Sequence, residues 1–346
     1  MGRNPKDNIT ITQVAELAGV SRATVSRVMN GRATVAPEIA DRVRSAAERL
    51  NYHPSNVARS LSLGRTHMVS VVVPDLGNPM FQQILRGTTQ AAAKSGYRVL
   101  VAETSEDAAA EAGIVLEARL RCDALVLVSP RSSEAVLDKL LPQVQPAVVV
   151  NRLLPGVDVH PIWTDYAAGA YALAEHLAEL GHRRICYLAG PPNSASNAAR
   201  LDGLEQAQDR YPDLEIIRIG CGSALGDGYR EAERAVGTGA TATMAFNDLA
   251  ALGLLARLRE LDVSVPDQMS VTGMDDIDLA RFASPSLTTA HVPQFRLGEY
   301  AWQQLHAVIE DRDAEPAPLT RPALVVRGST APPRPDPGAG RIDAPT

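Results

Sequence analysis

The sequence predicts a chain of two structural classes: an N-terminal all-α helix-turn-helix head and a larger α/β core of two lobes, each built on a parallel sheet. Two short helical patterns flank a glycine at position 19, and from about residue 67 β-branched runs alternate with amphipathic helices. The charge divides at the same place. Residues 1–66 hold ten basic and five acidic side chains, although the net charge of the whole chain is −6. A basic head on an acidic core favours contact between the head and nucleic acid.

Length and composition limit the class of protein. A chain of 346 residues, 45% hydrophobic and 21% charged, is typical of a globular protein of two or three domains. No apolar run approaches the roughly 18 residues of a membrane span, and residues 1–7 lack the apolar core of a secretory signal. We therefore expect a cytoplasmic protein. Cys122, Cys186 and Cys221 are widely spaced, which indicates small buried side chains rather than disulfides or a metal knuckle.

The first helix is predicted over residues 11–18. Thr10 and Gln13 have the spacing of a capping box, in which each side chain binds the other residue's backbone N–H. The apolar stripe of this helix is predicted to contain Val14, Leu17 and Ala18. Gly19 ends the helix, and Ser21 can cap the next one.

The second helix turns Val25 and Val28 inward and leaves small polar and arginine side chains on its other faces. Such side chains suit the major groove of DNA, although the same pattern also fits a protein-binding module. A third helix begins at Pro37, where Ala36 provides no capping side chain. Residues 55–61 form a helix-like segment too short to be stable alone, which we expect to fold only on DNA.

Residues 11–31, ITQVAELAGVSRATVSRVMNG, resemble the DNA-binding head of the lactose/galactose repressor (LacI/GalR) family. The resemblance implies that the second helix enters the major groove, that Arg22 and Ala23 tune operator choice, and that Leu61 wedges into the minor groove and kinks the operator. The implied DNA-binding set is Thr10, Ser21, Arg22, Ala23, Thr24, Ser26, Arg27, Asn30, Ser55, Asn56, Ala58 and Leu61. Ser55 and Ala36 depart from the family pattern, which usually has Asn and a Ser or Thr cap at these positions.

The α/β pattern of the core falls into two similar halves. The strands are predicted at 69–73, 98–101 and 124–128, and then at 184–188, 214–218, 243–246 and 270–273. The predicted domains are a head (1–54), a hinge helix and linker (55–66), a core (67–330) and a disordered tail (331–346). Within the core we expect lobe one at about 67–180 and 293–322, and lobe two at about 181–292 and 323–330.

The core also resembles this family, whose core is like the periplasmic sugar-binding proteins, with two lobes joined by three crossings and a ligand in the cleft. Local matches include Phe246-Asn247-Asp248 and Gly273-Met274-Asp275-Asp276. Ligands of parallel sheets bind beyond the carboxyl ends of the strands. The expected effector-binding residues are Phe81, Arg200, Asn247 and Asp275, with Asn151, Arg152 and Asp165 as weaker candidates. Each alone is also explained as a turn or ion-pair residue, but together their donors and acceptors suit a sugar-like effector.

The sequence gives little support for nucleotide binding, metal binding or catalysis. The glycines of 220–226 lack the spacing of a dinucleotide loop, and the acidic cluster at 275–278 lacks the pattern of a calcium loop. The histidines have no matched acid or nucleophile, so we expect no catalysis, no cofactor and no metal. The tail has no heptad repeat, which favours a homodimer over a tetramer.

The sequence therefore predicts a DNA-binding transcription regulator, expected to be a repressor, whose affinity for a palindromic operator is controlled by a sugar or related metabolite. The effector could release the operator as an inducer or tighten binding as a corepressor. The alternatives are a ligand-transport protein, disfavoured by the basic head, and an enzyme with an accessory helical domain.

Overall fold

A computed structural model describes residues 9–29, 35–52, 65–154, 162–313 and 315–334. The chain divides into two compact units, Met1–His67 and Met68–Thr346. Within the described ranges, no helix is both long enough and apolar enough to cross a membrane.

The described residues of the first unit form three helices: α1 (Ile11–Ala18), α2 (Arg22–Met29) and α3 (Pro37–Arg49). The bounds of α1 are those predicted. The capping box is also present, since Gln13 Oε1 accepts the N–H of Thr10 at 2.8 Å and Thr10 Oγ1 accepts that of Gln13 at 3.4 Å. Gly19 then turns the chain in the left-handed region, with φ of 67°.

The three helices enclose a small core in which Val14, Val25 and Val43 are fully buried. Leu17 was predicted to face this core, but its side chain is 42% exposed. That prediction was wrong because α1 is rotated so that Ala15 and Ala18 lie inward beside Val14. Ala36 occupies the N-cap of α3 without a side-chain hydrogen bond, as expected from its methyl side chain.

The first half of the core unit is built on a four-stranded parallel sheet. Its strand order is β2-β1-β3-β4, and each neighbouring pair is parallel. The strands are β1 (Met68–Val73), β2 (Arg98–Glu103), β3 (Ala124–Val128) and β4 (Ala147–Val150). The helices are α4 (Pro79–Lys94), α5 (Ala108–Arg119) and α6 (Glu134–Leu140), followed by a 3-10 turn at Leu141–Gln143.

The second half repeats this arrangement in the order β6-β5-β7-β8. Its strands are β5 (Arg184–Ala189), β6 (Glu215–Gly220), β7 (Ala242–Ala245) and β8 (Ser270–Thr272). The helices are α7 (Tyr166–Glu179), α8 (Ala195–Arg210), α9 (Leu225–Gly237), α10 (Asp248–Glu260) and α11 (Asp278–Phe282). Three further elements follow in the described residues: β9 (Thr289–His291), α12 (Gln294–Ile309) and β10 (Ala323–Val325).

The later segments return to both halves. α12 packs against α4 so closely that a Cβ on Gly87 would lie 2.1 Å from the Phe295 carbonyl oxygen. This helix therefore belongs with the first sheet, within the range 293–322 expected for lobe one. β10 pairs antiparallel with β9 in a third, two-stranded sheet that was not predicted.

Two predicted boundaries differ from the structure. α7 was assigned to lobe one, but it packs on α8 of the second half, where a Cβ on Gly203 would lie 2.1 Å from the Ala167 carbonyl oxygen. The predicted disordered tail also begins too early, since the Ala331 carbonyl lies 3.0 Å from His182 Nε2 and Arg334 lies 2.7 Å from the Asp267 carboxylate. Residues 335–346 of that tail lie outside the described residues.

Candidate DNA-binding and effector-binding sites

Helix α2, which the resemblance implies enters the major groove, has a packing face and a separate polar face. Val25 and Val28 are buried in the head, whereas Arg22, Ala23 and Arg27 are exposed. This places the two residues expected to tune operator choice at the exposed start of the helix. An exposed arginine with five N–H donors in a planar fork can bind guanine through its O6 and N7 atoms.

The remaining described residues of the predicted DNA-binding set lie at the ends of the helices or beside the exposed face. Ser21 caps α2, because its Oγ accepts the Thr24 N–H at 3.2 Å and lies 3.0 Å from Thr24 Oγ1. Thr10 caps α1, and Ser26 is half-buried. Helix capping is thus a structural role that Thr10 and Ser21 have whether or not DNA is bound.

Five predicted DNA contacts lie outside the described residues. They are Asn30, Ser55, Asn56, Ala58 and Leu61. Their roles at the operator remain predictions from the resemblance.

In the core, three of the predicted effector-binding residues meet around one aromatic side chain. Asn151 directly follows β4, Arg200 lies on α8 and Asp275 follows β8, and Tyr166 begins α7 between them. The Asn151 amide donates to the Tyr166 hydroxyl at 3.1 Å. We call Asn151, Tyr166, Arg200 and Asp275 the polar cluster. All four are at least 98% buried.

The Arg200 guanidinium is held between two aromatic rings. Its central carbon lies 4.2 Å from the centroid of Tyr166 and 4.3 Å from that of Phe246. Its Nη1 donates to the Ser196 carbonyl at 2.9 Å, and its Nη2 lies 3.8 Å from Asp275 Oδ1. Stacking on aromatic faces fixes the plane of the guanidinium, so its edge is presented in one direction.

The backbone of Asp275 is unusual for a residue with a side chain, since its φ is 115°. Such a conformation costs free energy and persists where the surroundings fix it. Here the Asp275 N–H donates to the Ala290 carbonyl at 3.0 Å, and the Gln294 side chain donates to the Asp275 carbonyl. Asn151 also has a left-handed φ, 58°, and its N–H donates to the Ile162 carbonyl at 2.8 Å.

Three buried polar atoms of the cluster have no hydrogen-bond partner among the described residues: Asn151 Oδ1, Arg200 Nε and Asp275 Oδ1. Most buried polar atoms of native proteins are hydrogen-bonded, and leaving one unpaired costs about 1–3 kcal/mol. A ligand with hydroxyl groups could supply both the donors and the acceptor that these atoms lack.

Burial also changes the acidity of this region. It raises the pKa of Asp275 to about 7, although the positive charge of Arg200 acts in the opposite direction. Burial, and then the charge of Asp275, raises the pKa of Asp248 well above its usual value. The Tyr166 pKa is raised by burial, so its hydroxyl stays protonated. The cluster therefore contains one carboxyl group that can gain or lose a proton near neutral pH.

Three other predicted effector residues have structural partners. Asn247 caps α10 by accepting the Ala250 N–H at 2.9 Å and donates to the Ser223 carbonyl at 2.9 Å. Asp165 caps α7 by accepting the Ala168 N–H at 3.0 Å. Phe81 is buried in the hydrophobic core of the unit. Among the described residues, none of these three side chains forms a hydrogen bond with the polar cluster.

Tyr166 and Phe246, whose rings hold Arg200, were not predicted as site residues from the sequence. Phe246 directly follows β7, a strand-end position that could have marked it, whereas nothing in the periodicity of α7 distinguishes Tyr166. Arg152 lies next to Asn151 in the chain, but its side chain lines a cavity of about 720 Å³ instead of joining the cluster.

Comparison with known proteins decides the family. Residues 10–55 match the family described as bacterial regulatory proteins, lacI family, and residues 174–330 match a periplasmic binding protein-like domain. The HTH-type transcriptional regulator GalR of Escherichia coli strain K12 is 32% identical over 338 residues, with 94% of this chain and 96% of GalR covered. The chain belongs to the LacI family.

Solved structures of LacI-family proteins share the whole fold. A lac repressor dimer bound to operator and the anti-inducer ONPF has 26% identity and a TM-score of 0.84, covering 94% of this chain and all of that chain. A complex of the transcriptional regulator CelR with cellobiose has 27% identity and a TM-score of 0.66, covering 93% and 99%. The predicted fold class, a helix-turn-helix head with a periplasmic-binding-protein-like core, is confirmed, as is the prediction of a regulator rather than an enzyme.

Proposed function

We propose that this protein is a cytoplasmic, homodimeric transcription repressor that binds a palindromic operator through α2 and is controlled by a small polar effector bound at the polar cluster. The effector part of the proposal rests on three buried polar atoms, on Asn151, Arg200 and Asp275, that have no hydrogen-bond partner among the described residues. The observation that carries the DNA half is the exposed arginine-bearing face of α2 on a separate compact unit.

A polar, sugar-like effector fits the donors and acceptors of the cluster. The Asn151 and Asp275 oxygens accept hydrogen bonds, and the Arg200 Nε donates one. A sugar hydroxyl can act in both ways, and the cellobiose complex of CelR supports this class of ligand. Asn247, Phe81 and Asp165 belong to this proposal as supporting residues, since helix caps and core packing hold the strand ends at which the ligand would bind.

A homodimer explains how one short helix can select a site. Two copies related by a two-fold axis present two α2 helices to two half-sites about one helical turn apart, so the operator is expected to be palindromic. The lac repressor structure on operator DNA is a dimer, which supports this assembly.

Effector control requires that the ligand bind the operator-bound and free forms with different affinity. The segments around the polar cluster come from both halves of the core, so a ligand that bridges Asn151 and Arg200 would favour one arrangement of the lobes. In this proposal that arrangement sets the spacing of the two hinges, including Leu61. By linkage, an effector that weakens operator binding is itself bound more weakly on the operator, typically 5–150-fold.

Selection of preferred sites from random duplex DNA tests the DNA half. We expect full-length protein to select a palindrome, and Leu61→Ala to lose more affinity for that palindrome than for unrelated duplex DNA. Binding without sequence preference that disappears as salt rises would contradict the proposal. As a check on the enzyme alternative, incubation with sugars and sugar phosphates should leave them unchanged.

A further inference from the structure

The cavity of about 720 Å³ is bordered by the start of α8 and by the segments that follow β3 and β4. These segments place Arg131, Arg152, Trp163 and Ser194 in its wall. Ligand pockets for small molecules commonly measure about 300–1,000 Å³, so the cavity has room for a metabolite.

The cavity is linked to the polar cluster through the first turn of α8. Ser194 Oγ lies 2.9 Å from Ser196 Oγ, and the Ser196 carbonyl accepts the hydrogen bond from Arg200 Nη1 at 2.9 Å. Arg152 also follows Asn151 directly in the chain. One ligand could therefore contact both regions, with its hydroxyl groups at the cluster and another group in the cavity.

The two arginines in the wall differ in their partners. Arg131 is buried, donates to Glu106 Oε1 at 2.9 Å through Nη2 and donates to the Ser129 carbonyl at 2.9 Å through Nη1. Among the described residues, Arg152 makes one long hydrogen bond, from Nη1 to the Asn193 carbonyl at 3.5 Å, and no carboxylate there lies within 4.0 Å of it. Its charge is thus available to a ligand, whereas that of Arg131 is already paired.

The carboxylates near Arg152 do not take the place of such a ligand. Glu111 is buried and accepts two backbone N–H groups, at 2.7 and 2.9 Å. Glu134 begins α6 and acts on Arg152 only through longer-range charge, and Asp202 is exposed. Burial lowers the pKa of Arg152, which reflects the cost of holding its charge partly away from water.

We propose that the effector carries an acidic group, a phosphate ester or a carboxylate, which binds the Arg152 guanidinium beside the first turn of α8. This inference rests on the proposed function, because it assigns a chemical class to the same effector. An arginine fork binds either anion through two parallel hydrogen bonds. The N-terminus of the 16-residue α8, at which Ser194 and Ala195 line the cavity, adds a favourable dipole.

Inorganic phosphate is the first probe, measured by isothermal titration against chloride at matched ionic strength. We expect full-length protein to bind phosphate saturably, Arg152→Gln to bind at least tenfold more weakly, and Arg210→Gln to bind as the wild type does. Arg210 is the control because it is an exposed arginine in the last turn of α8, whose first turn borders the cavity. If phosphate does not saturate, or if Arg152→Gln binds it equally, the anion is an adventitious ion only and the proposal is overturned.

The affinities for ribose, ribose 5-phosphate and ribonate are then compared. This comparison shows whether the acidic group is a phosphate ester or a carboxylate. We expect at least one of the two anions to bind at least tenfold more tightly than ribose, and Arg152→Gln to remove that advantage. If ribose changed operator affinity equally in wild type and Arg152→Gln, the acidic group would be ruled out and the proposed function would stand. If phosphate bound at Arg152 but site selection gave no operator, the proposed function would fail instead.

Discussion

The head and the polar cluster place their proposed functional side chains in opposite surroundings. On α2, Arg22 is exposed and the fold of the head depends on the buried faces of Val25 and Val28. In the core, Arg200 and Asp275 are each 2% exposed and are packed among the residues that form the fold. On α2, binding and stability are therefore carried by different residues, whereas in the core the same residues carry both.

This difference predicts how each region responds to substitution. Changing an exposed contact on α2 should alter DNA binding without unfolding the head, since surface substitutions are usually within about 0.5 kcal/mol of neutral. Changing a residue of the cluster should alter both ligand binding and the free energy of unfolding, because it leaves a charged or polar partner buried and unpaired.

The largest effect is expected for Arg200→Ala. It removes the cation beside Asp275 and leaves a void between Tyr166 and Phe246, so we expect the core to lose about 3–5 kcal/mol of stability at pH 8. Denaturant unfolding of the full-length protein measures this loss. The exposed Arg210→Ala is the control and should change the midpoint little. Equal midpoints for Arg200→Ala and the wild type would contradict the packing role of Arg200.

The next effect concerns pH. An unfolded aspartate has a pKa of about 3.9, whereas that of Asp275 in the folded protein is raised to about 7. Between these values the folded state holds a proton that the unfolded state has released. The contribution of Asp275 to stability is therefore greatest below about pH 4, falls as pH rises to about 7, and is constant above that.

Asp275→Asn tests this dependence. The free energy of unfolding of the wild type minus that of the variant should fall between pH 4 and 7, by at most about 1.4 kcal/mol per pH unit. Thermal and denaturant unfolding at several pH values provide the comparison. Parallel stability curves for the two proteins would show that Asp275 titrates as an ordinary exposed aspartate.

In the head, Arg22→Ala should change recognition at one operator position by about 1–3 kcal/mol without lowering the stability of the head. Binding to a set of single-base operator variants measures this change. Arg44→Ala serves as the control, because Arg44 is exposed on α3 and pairs with Asp41 at 2.9 Å. A uniform loss of affinity across all operator variants would assign Arg22 to the phosphate backbone instead.

The smallest effects concern helix caps. Ala36→Ser adds a side-chain acceptor at the uncapped start of α3 and should stabilise the head by about 0.5–1 kcal/mol, whereas Thr10→Ala should destabilise it by about 1 kcal/mol. Circular dichroism during thermal unfolding gives the two shifts. Shifts of the same sign would contradict the capping geometry.

Much of the fold was predictable because it depends on local patterns. The capping box of Thr10 and Gln13 marks the start of α1. The residues of 124–128 are all apolar, and a short continuous apolar run is typical of a buried strand. The pairing of β10 with β9 was not predicted, because β10 has three residues and its partner lies more than 30 residues away. The lobe of α7 was missed because helix periodicity does not say which sheet a helix covers.

The site was predictable only in part, because local sequence patterns do not show contacts between distant segments of the chain. Arg200 follows from the resemblance, and Asp275 also from its position shortly after β8, but the aromatic rings that hold Arg200 come from other segments of the chain. Tyr166 reaches Arg200 across 34 positions of sequence, so its contact with the guanidinium appears only in three dimensions. Asn247 and Asp165 were selected for polar groups that the structure uses to cap helices.

In the proposed mechanism, the polar cluster controls the operator affinity of the head. The most direct measurement is operator binding by the wild type and Arg200→Lys, each titrated with a panel of sugars, sugar phosphates and sugar acids. Lysine keeps the charge beside Asp275 but loses the planar fork held between Tyr166 and Phe246. We predict that at least one compound changes the operator Kd of the wild type 5–150-fold and that Arg200→Lys does not respond to it. An equal response of both proteins would contradict control from this site.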